Sequence, residues 1–253
     1  MASISLSVLE SAPSRPAHPA SHKRELMNSA LKCLVLASAL TLAACGGGGG
    51  DSPPPPPPPA APSVQGFWSD DDSTTLITAN GEVWTIEAAD SEHYLLTRGT
   101  VTTNGSSFSG SLTSYLDPDN ITATVTGSFV AGQSLSGTAT AGGQSNAFAM
   151  TYEPSYAQAP SRAQAAGTWA IEGGSIVISQ AGAFAMALGS CAVNGQLTPD
   201  SSGKNFFRLA ATFSPACGAV SGAPVDGVVF ADDTVVVTAI VSGEIGGAFV
   251  VDK

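Results

Sequence analysis

Between Ile121 and Val130 apolar and polar residues alternate: Ile121, Ala123, Val125 and Phe129 fall on one side of an extended chain, Thr122, Thr124, Thr126 and Ser128 on the other. Successive side chains of a strand point to opposite faces, so the segment reads as a strand with one packed face and one wet face. The same period recurs in Phe207, Leu209, Ala211 and Phe213, and in Val235, Val237, Ala239 and Val241. Asn80-Gly81, between Thr75-Leu-Ile-Thr78 and Val83-Trp-Thr-Ile86, predicts a hairpin closed by a two-residue turn. Further turns are expected at Asn104-Gly105, across Asp117-Pro-Asp-Asn120, at Gly132, Gly142-Gly143, between Asp200 and Gly203, and at Asp232-Asp233. Strands joined over such short distances become antiparallel neighbours.

Gly66-Phe67-Trp68 recurs as Gly167-Thr168-Trp169, each followed by a run of short strands, which points to an internal repeat. Between the halves, 152–160 reads as a linker, and Ser161-Arg-Ala-Gln-Ala-Ala166 as one helical turn with Ser161 as N-cap and Gly167 ending it. The fold class is therefore all-β: two tandem antiparallel β-barrels or β-sandwiches of about eight strands each, over 64–160 and 161–253. Two separate barrels and one composite sheet system both fit the pattern.

The first 63 residues follow a different logic. His22, Lys23, Arg24 and Lys32 precede an apolar run from Cys33 to Leu42, and small residues follow. That is the shape of an export signal, over 1–44, and the run is too short to span a bilayer. The Ser- and Pro-rich residues before Met27 add nothing such a signal needs, so translation is expected to start at Met27. Leu42-Ala43-Ala44-Cys45 resembles the lipobox of bacterial lipoproteins. The resemblance implies cleavage before Cys45 and covalent attachment there of diacylglycerol and an N-acyl chain, with no other cofactor. Residues 45–63 then form a tether, loose over Gly46–Gly50 and stiff over Pro53–Pro59.

After Cys45 five basic residues stand against eighteen acidic ones, a formal charge of −13. Such a surface argues against nucleic acid and against electrostatic binding to anionic headgroups. Membrane contact is thus assigned to the lipid. Gly46, where an Asp would favour inner-membrane retention in many lipoproteins, points to the outer membrane, with the domains facing either the periplasm or the cell surface.

The part after Cys45 resembles, as a whole, a set of small Gram-negative lipoproteins in which a Cys, a Gly run and a Pro run lead into two β repeats. The resemblance is carried by Gly66-Phe67-Trp68, the joint from Tyr156 to Trp169, and Cys191 with Cys217 around Gly195-Gln-Leu-Thr-Pro199. It implies location and fold and brings no activity.

Chemistry-bearing residues are few. Cys33 lies in the signal and Cys45 takes the lipid, which leaves Cys191 and Cys217 to form a disulfide in an exported domain. His93 is the only histidine after Cys45, so a zinc cluster or a Ser-His-Asp site would have to rest on it. It opens a strand and reads as an exposed or edge histidine. Asp70-Asp71-Asp72, Asp117 with Asp119, and Asp232-Asp233 read as solvated turn charges, because none has the glycine and distal Glu of a calcium loop. No metal site is expected. The Gly-x-Trp motif is similar to that of lipocalins and avidins, in which the Trp closes one end of a barrel able to hold a small apolar ligand. Trp68 and Trp169 are accordingly candidate ligand-binding residues, against the simpler role of core plugs. Trp84 fits either face of its strand.

These features favour a non-enzymatic outer-membrane lipoprotein acting as an envelope interaction or structural protein, its partner an envelope or extracellular protein. The alternative is a carrier of a small apolar ligand. Cavity size separates them: a filled interior rejects the carrier, and an apolar hole of a few hundred Å³ favours it.

Overall fold

The computed structural model describes residues 63–89, 93–116 and 119–252. The signal, Met27, Cys45, the tether up to residue 62, and Asp117 lie outside them. Among the described residues every strand pairing and every core cluster falls within one compact unit, Ala60–Lys253, so the packing that holds it is internal to it.

Eight strands form the first half: β1 Gly66–Ser69, β2 Ser73–Ile77, β3 Glu82–Ala88, β4 Tyr94–Asn104, β5 Ser107–Tyr115, β6 Ile121–Val130, β7 Ser134–Ala141 and β8 Gln144–Glu153. Each pairs antiparallel with the next, and β1 pairs with β8, so the sheet closes into a barrel. The second half repeats the order: β9 Gly167–Ile171, β10 Gly174–Ile178, β11 Ala183–Leu188, β12 Cys191–Pro199, β13 Phe207–Phe213, β14 Pro224–Ala231, β15 Val235–Ser242 and β16 Ile245–Asp252. Its eight strands also follow chain order, and β9 approaches β16 without pairing, leaving the second barrel nearly closed. The all-β tandem expectation and the segments Ile121–Val130 and Phe207–Phe213 match the structure.

The repeat reaches much further than Gly-x-Trp. Trp68 pairs with Thr75 and Trp169 with Ile176; Gly99 pairs with Leu112 and Gly195 with Ala211; Val125 pairs with Ala139 and Gly227 with Ile240. The same register runs through both sheets. At each closed end the Trp indole folds back to donate to a carbonyl four residues upstream: Trp68 Nε1 to Val64 at 3.0 Å, Trp169 Nε1 to Ala165 at 3.3 Å. Glycine two residues before each Trp is required by that fold-back. A Cβ on Gly66 would lie 3.0 Å from Trp68 Nε1, and one on Gly167 would lie 2.4 Å from Trp169 Cζ2.

Three cores hold the unit together. One fills the second barrel around Ile176, Met186, Val193 and Phe207, and one lies in the first barrel around Trp68, Val83, Phe108 and Phe129. The third lies between the barrels, where outward-facing Phe67, Leu76, Trp84, Ile86 and Leu96 pack on Val228, Val237, Ala239 and Val241. The two barrels thus keep separate interiors and share one wall-to-wall core.

Four sequence expectations need correction. Asn80-Gly81 is not a two-residue turn: Thr78 and Glu82 still pair, and Gly81, at φ 81°, ends a three-residue loop from Ala79. That is a type I turn with glycine in the left-handed position. The joint 152–160 is not a free linker, since β8 runs to Glu153, a 3₁₀ turn follows over Pro154–Ala157, and Tyr156 is buried in the shared core. Ser161 does cap the short helix Arg162–Ala165 through the Gln164 amide, yet Gly167 opens β9 instead of capping the helix. Finally, Val235–Ser242 has no wet face, because Val236 and Ile240 point into the second barrel while Val237 and Val241 face the first.

Candidate functional site: the hollow barrel

The interior of the first barrel contains a cavity of about 620 Å³. Its floor is the apolar cluster above Trp68, including Ile77, Val83, Val101, Phe108 and Leu135. Its mouth lies at the opposite end, where the β1–β2 turn brings Asp70 and Asp72 and where Glu87, Ile121 and Gln144 sit at strand ends. The volume falls in the range of small-molecule sites, roughly 300–1,000 Å³.

One wall of this cavity is a row of hydroxyls. Thr75 pairs with Thr85, Thr85 with Thr97, and Thr97 with Ser114, so four successive strands place a hydroxyl residue at one level. Thr75 Oγ1 and Thr85 Oγ1 are 2.9 Å apart, and Thr97 Oγ1 and Ser114 Oγ 2.7 Å apart. A hydroxyl has one proton and two lone pairs. Each pair therefore uses one proton internally and keeps one proton and further lone pairs for a guest. Across the cavity the wall is mostly apolar, with Ala123, Val125, Ala139 and Phe148, and carries one amide, Asn146, paired with Ala139.

The register shows why this barrel is hollow while the second holds a packed core. At the positions matching Thr75, Thr85, Thr97 and Ser114, the second barrel carries Ile176, Met186, Val193 and Phe213. Ala139 is matched by Ile240, and Gly137 by Thr238. At these six positions the second interior carries the larger side chain, while Leu112 against Ala211 and Val125 against Gly227 run the other way. In the first barrel Gly127 and Gly137 lie under the Phe108 and Phe148 rings, with added Cβ atoms 2.5 and 2.7 Å from ring carbons, so these glycines seat the aromatic floor.

Trp68 and Trp169 are plugs. Trp68 is fully buried and absent from the cavity lining, while Trp169 packs against the filled core of the second barrel. Trp84 faces outward into the shared core, with the Arg98 guanidinium 4.5 Å over its ring. His93, just before β4, is half-buried and lies 3.4 Å from Glu172 in the β9–β10 turn. Cys191 and Cys217 form the disulfide, with Cα atoms 4.5 Å apart, tying the start of β12 to the turn after β13. Asp70 accepts from the Asp72 and Ser73 amides, and Asp232 from the Thr234 and Val235 amides, the geometry of acidic turn residues. Among the described residues no three His, Cys, Asp or Glu side chains converge as a metal site.

Charge is concentrated elsewhere, between the barrels. Glu82 on β3 accepts from Arg98 Nη2 at 2.9 Å and from Arg208 Nη1 on β13, while Arg208 Nε reaches Asp200 at 2.9 Å. Burial pushes Glu82 up, but hydrogen bonds and charges from Arg208 and Arg98 outweigh it and hold the carboxyl below its ordinary value. Burial also raises Asp200, and bonds from Ser202 and Arg208 bring it below the ordinary carboxylate value. Tyr156 beside them is pushed up to about 12, by burial first and then by the Asp200 charge. The charges of this network join the two barrels, and none of its members lines the cavity.

The hydroxyl row carries no mark in a single strand's sequence. Its signal is comparative: once the two halves are aligned strand by strand, inward Thr and Ser of the first stand opposite Ile, Met, Val and Phe of the second. Compared with family profiles, curated proteins and solved structures, the chain matches none of them.

Proposed function

We propose that this chain is a lipid-anchored envelope protein whose first barrel is a receptacle for a small molecule and whose second barrel is its solid support. The observation that carries this is the contrast between duplicated interiors, one filled and one holding about 620 Å³ beside a row of hydroxyls. A barrel needed only for structure would gain from being filled, because buried apolar area stabilises at roughly 25 cal/mol per Å². The anchor rests on Leu42-Ala43-Ala44-Cys45 and on the resemblance to two-repeat lipoproteins, and gives the receptacle a fixed place at the outer membrane. The cavity favours a carrier over a purely structural protein.

The test is saturable binding of a neutral fluorescent probe, N-phenyl-naphthylamine, to the compact unit Ala60–Lys253. Binding is expected in the wild type and lost when Thr75→Ile, Thr85→Met, Thr97→Val and Ser114→Phe copy the second interior into the first. Equal binding by both proteins, or none by the wild type, overturns the receptacle. For the anchor, the full chain should incorporate labelled palmitate and Cys45→Ala should not.

A further inference from the structure

The charge pattern of the cavity narrows what it can hold. Its mouth carries three carboxylates, Asp70, Asp72 and Glu87, and among the described residues lining it there is no Lys, Arg or His. The cations are used elsewhere: Arg98 and Arg208 are paired with Glu82 and Asp200, and Lys204 lies 5.7 Å over the Tyr156 ring at the barrel joint. An anion would enter past like charges into a low-dielectric interior and find no counter-ion, a heavy desolvation cost.

Inside, the hydroxyls form a line and not a point. Neighbouring strands are about 4.8 Å apart, so the row from Thr75 to Ser114 spans roughly 14 Å along one wall. Beyond it are Ala123 and Ala139, whose short side chains leave room for a flat apolar body, with the Asn146 amide beside Ala139 as one further polar group. Each hydroxyl pair keeps one proton to donate and lone pairs to accept, and binding groups of this kind discriminate strongly against ligands that leave them unmatched.

Building on the receptacle function, we infer that the ligand is an uncharged or cationic molecule with an apolar body and a hydrogen-bonding edge along its length, and that fatty acids and other organic anions are excluded. The hydroxyl row reads the edge, the alanine wall takes the body, and the acidic mouth turns anions away.

A matched pair of probes tests this. N-phenyl-naphthylamine and its sulfonate congener, anilinonaphthalene sulfonate, share one aromatic skeleton and differ by a negative charge. With the compact unit Ala60–Lys253, the neutral amine should bind at least about tenfold more tightly than the sulfonate. Asp72→Asn with Glu87→Gln should reduce that gap at least about threefold, mainly by tightening the sulfonate. Ala139→Ile, which puts the second barrel's residue into the first, should abolish amine binding without the four-site change. If the sulfonate binds as tightly as the amine and both are lost in Ala139→Ile, the ligand class is wrong while the receptacle stands. If neither probe binds the wild type, or Ala139→Ile and the four-site variant both bind as the wild type does, the receptacle itself fails and the ligand class with it.

Discussion

Arg208 on the second barrel donates from Nη1 to Glu82 Oε2 on the first at 2.5 Å. The same guanidinium holds Asp200, and Glu82 also holds Arg98, so one chain of charges crosses the joint. Both carboxylates are well covered, with side chains 15% and 14% exposed, which separates this network from ordinary surface pairs. Glu82→Gln should cost about 2 kcal/mol, the usual worth of hydrogen bonds to a charged group, or roughly 4–8 °C in Tm for a unit of this size.

The same network predicts an acid response. Glu82 and Asp200 both titrate below their ordinary values of 4.5 and 3.8 in the folded protein. Their contribution is therefore complete above those values and is lost as pH falls through the lower folded ones, because the unfolded chain then binds protons more readily. Thermal melts taken from neutrality down to about pH 3 should show a decline in the wild type that is shallower in Glu82→Gln. An equal slope in both would remove Glu82 from the linkage.

Much of this architecture is legible in the sequence, and the rest is hidden for identifiable reasons. Alternation alone places Ile121–Val130, since a strand with one wet face writes its period openly. The Ser161 cap and the Cys191–Cys217 pair are local or countable signals. Glu82 and Arg208 carry no such mark, because their meeting depends on which outer faces the barrels press together. Val235–Ser242 shows the same effect from the other side: it has no wet face because the first barrel covers it. The cavity is hidden deepest. Thr85 follows Trp84 in a strand that is apolar at Val83 and Ile86, and only the pairing register shows that Val83 and Thr85 point inward together.

The disulfide closes a loop of 26 residues that includes β12, the turn at Asp200 and β13. In the chain-entropy model a loop of that size contributes about 3 kcal/mol. Cys191→Ser with Cys217→Ser should lower Tm by roughly 6–12 °C, and dithiothreitol should reproduce the loss in the wild type and leave the variant unchanged. A reductant effect on the variant would place the sensitivity somewhere other than this bond.

Thr238 has the opposite standing from the cavity threonines. It is fully buried in the second barrel, between Val229 and Phe249 on the neighbouring strands, and its Oγ1 has no hydrogen-bond partner. An unsatisfied buried hydroxyl costs about 1–3 kcal/mol. Thr238→Val keeps the shape and removes the polar atom, so the urea midpoint should rise, corresponding to a gain of about 1 kcal/mol or more. A fall would mean that the hydroxyl is satisfied in solution.

The duplicated register makes the sharpest stability prediction, because the same position can be changed in both directions. Thr75 and Ile176 each pair with the plugging Trp of their own barrel, one beside the cavity and one in a filled core. Ile176→Thr replaces the ethyl arm of a fully buried side chain with a hydroxyl that has no partner, a combination that should cost about 2–4 kcal/mol. Thr75→Ile adds apolar surface where there is room for it, at roughly 0.8 kcal/mol per buried methylene. Against that gain stands the Thr85 hydroxyl, which loses its partner 2.9 Å away but borders a cavity that water can enter. Changing Thr75→Ile and Thr85→Met together removes both partners at once and should raise the urea midpoint while weakening the neutral probe. Ile176→Thr should lower the midpoint and leave the probe alone. Stability and binding would then move in opposite senses in the first barrel and independently in the second, as expected if the first interior is kept open at the expense of packing. If Thr75→Ile with Thr85→Met destabilised the protein as much as Ile176→Thr, the first interior would be a packed core and not a site.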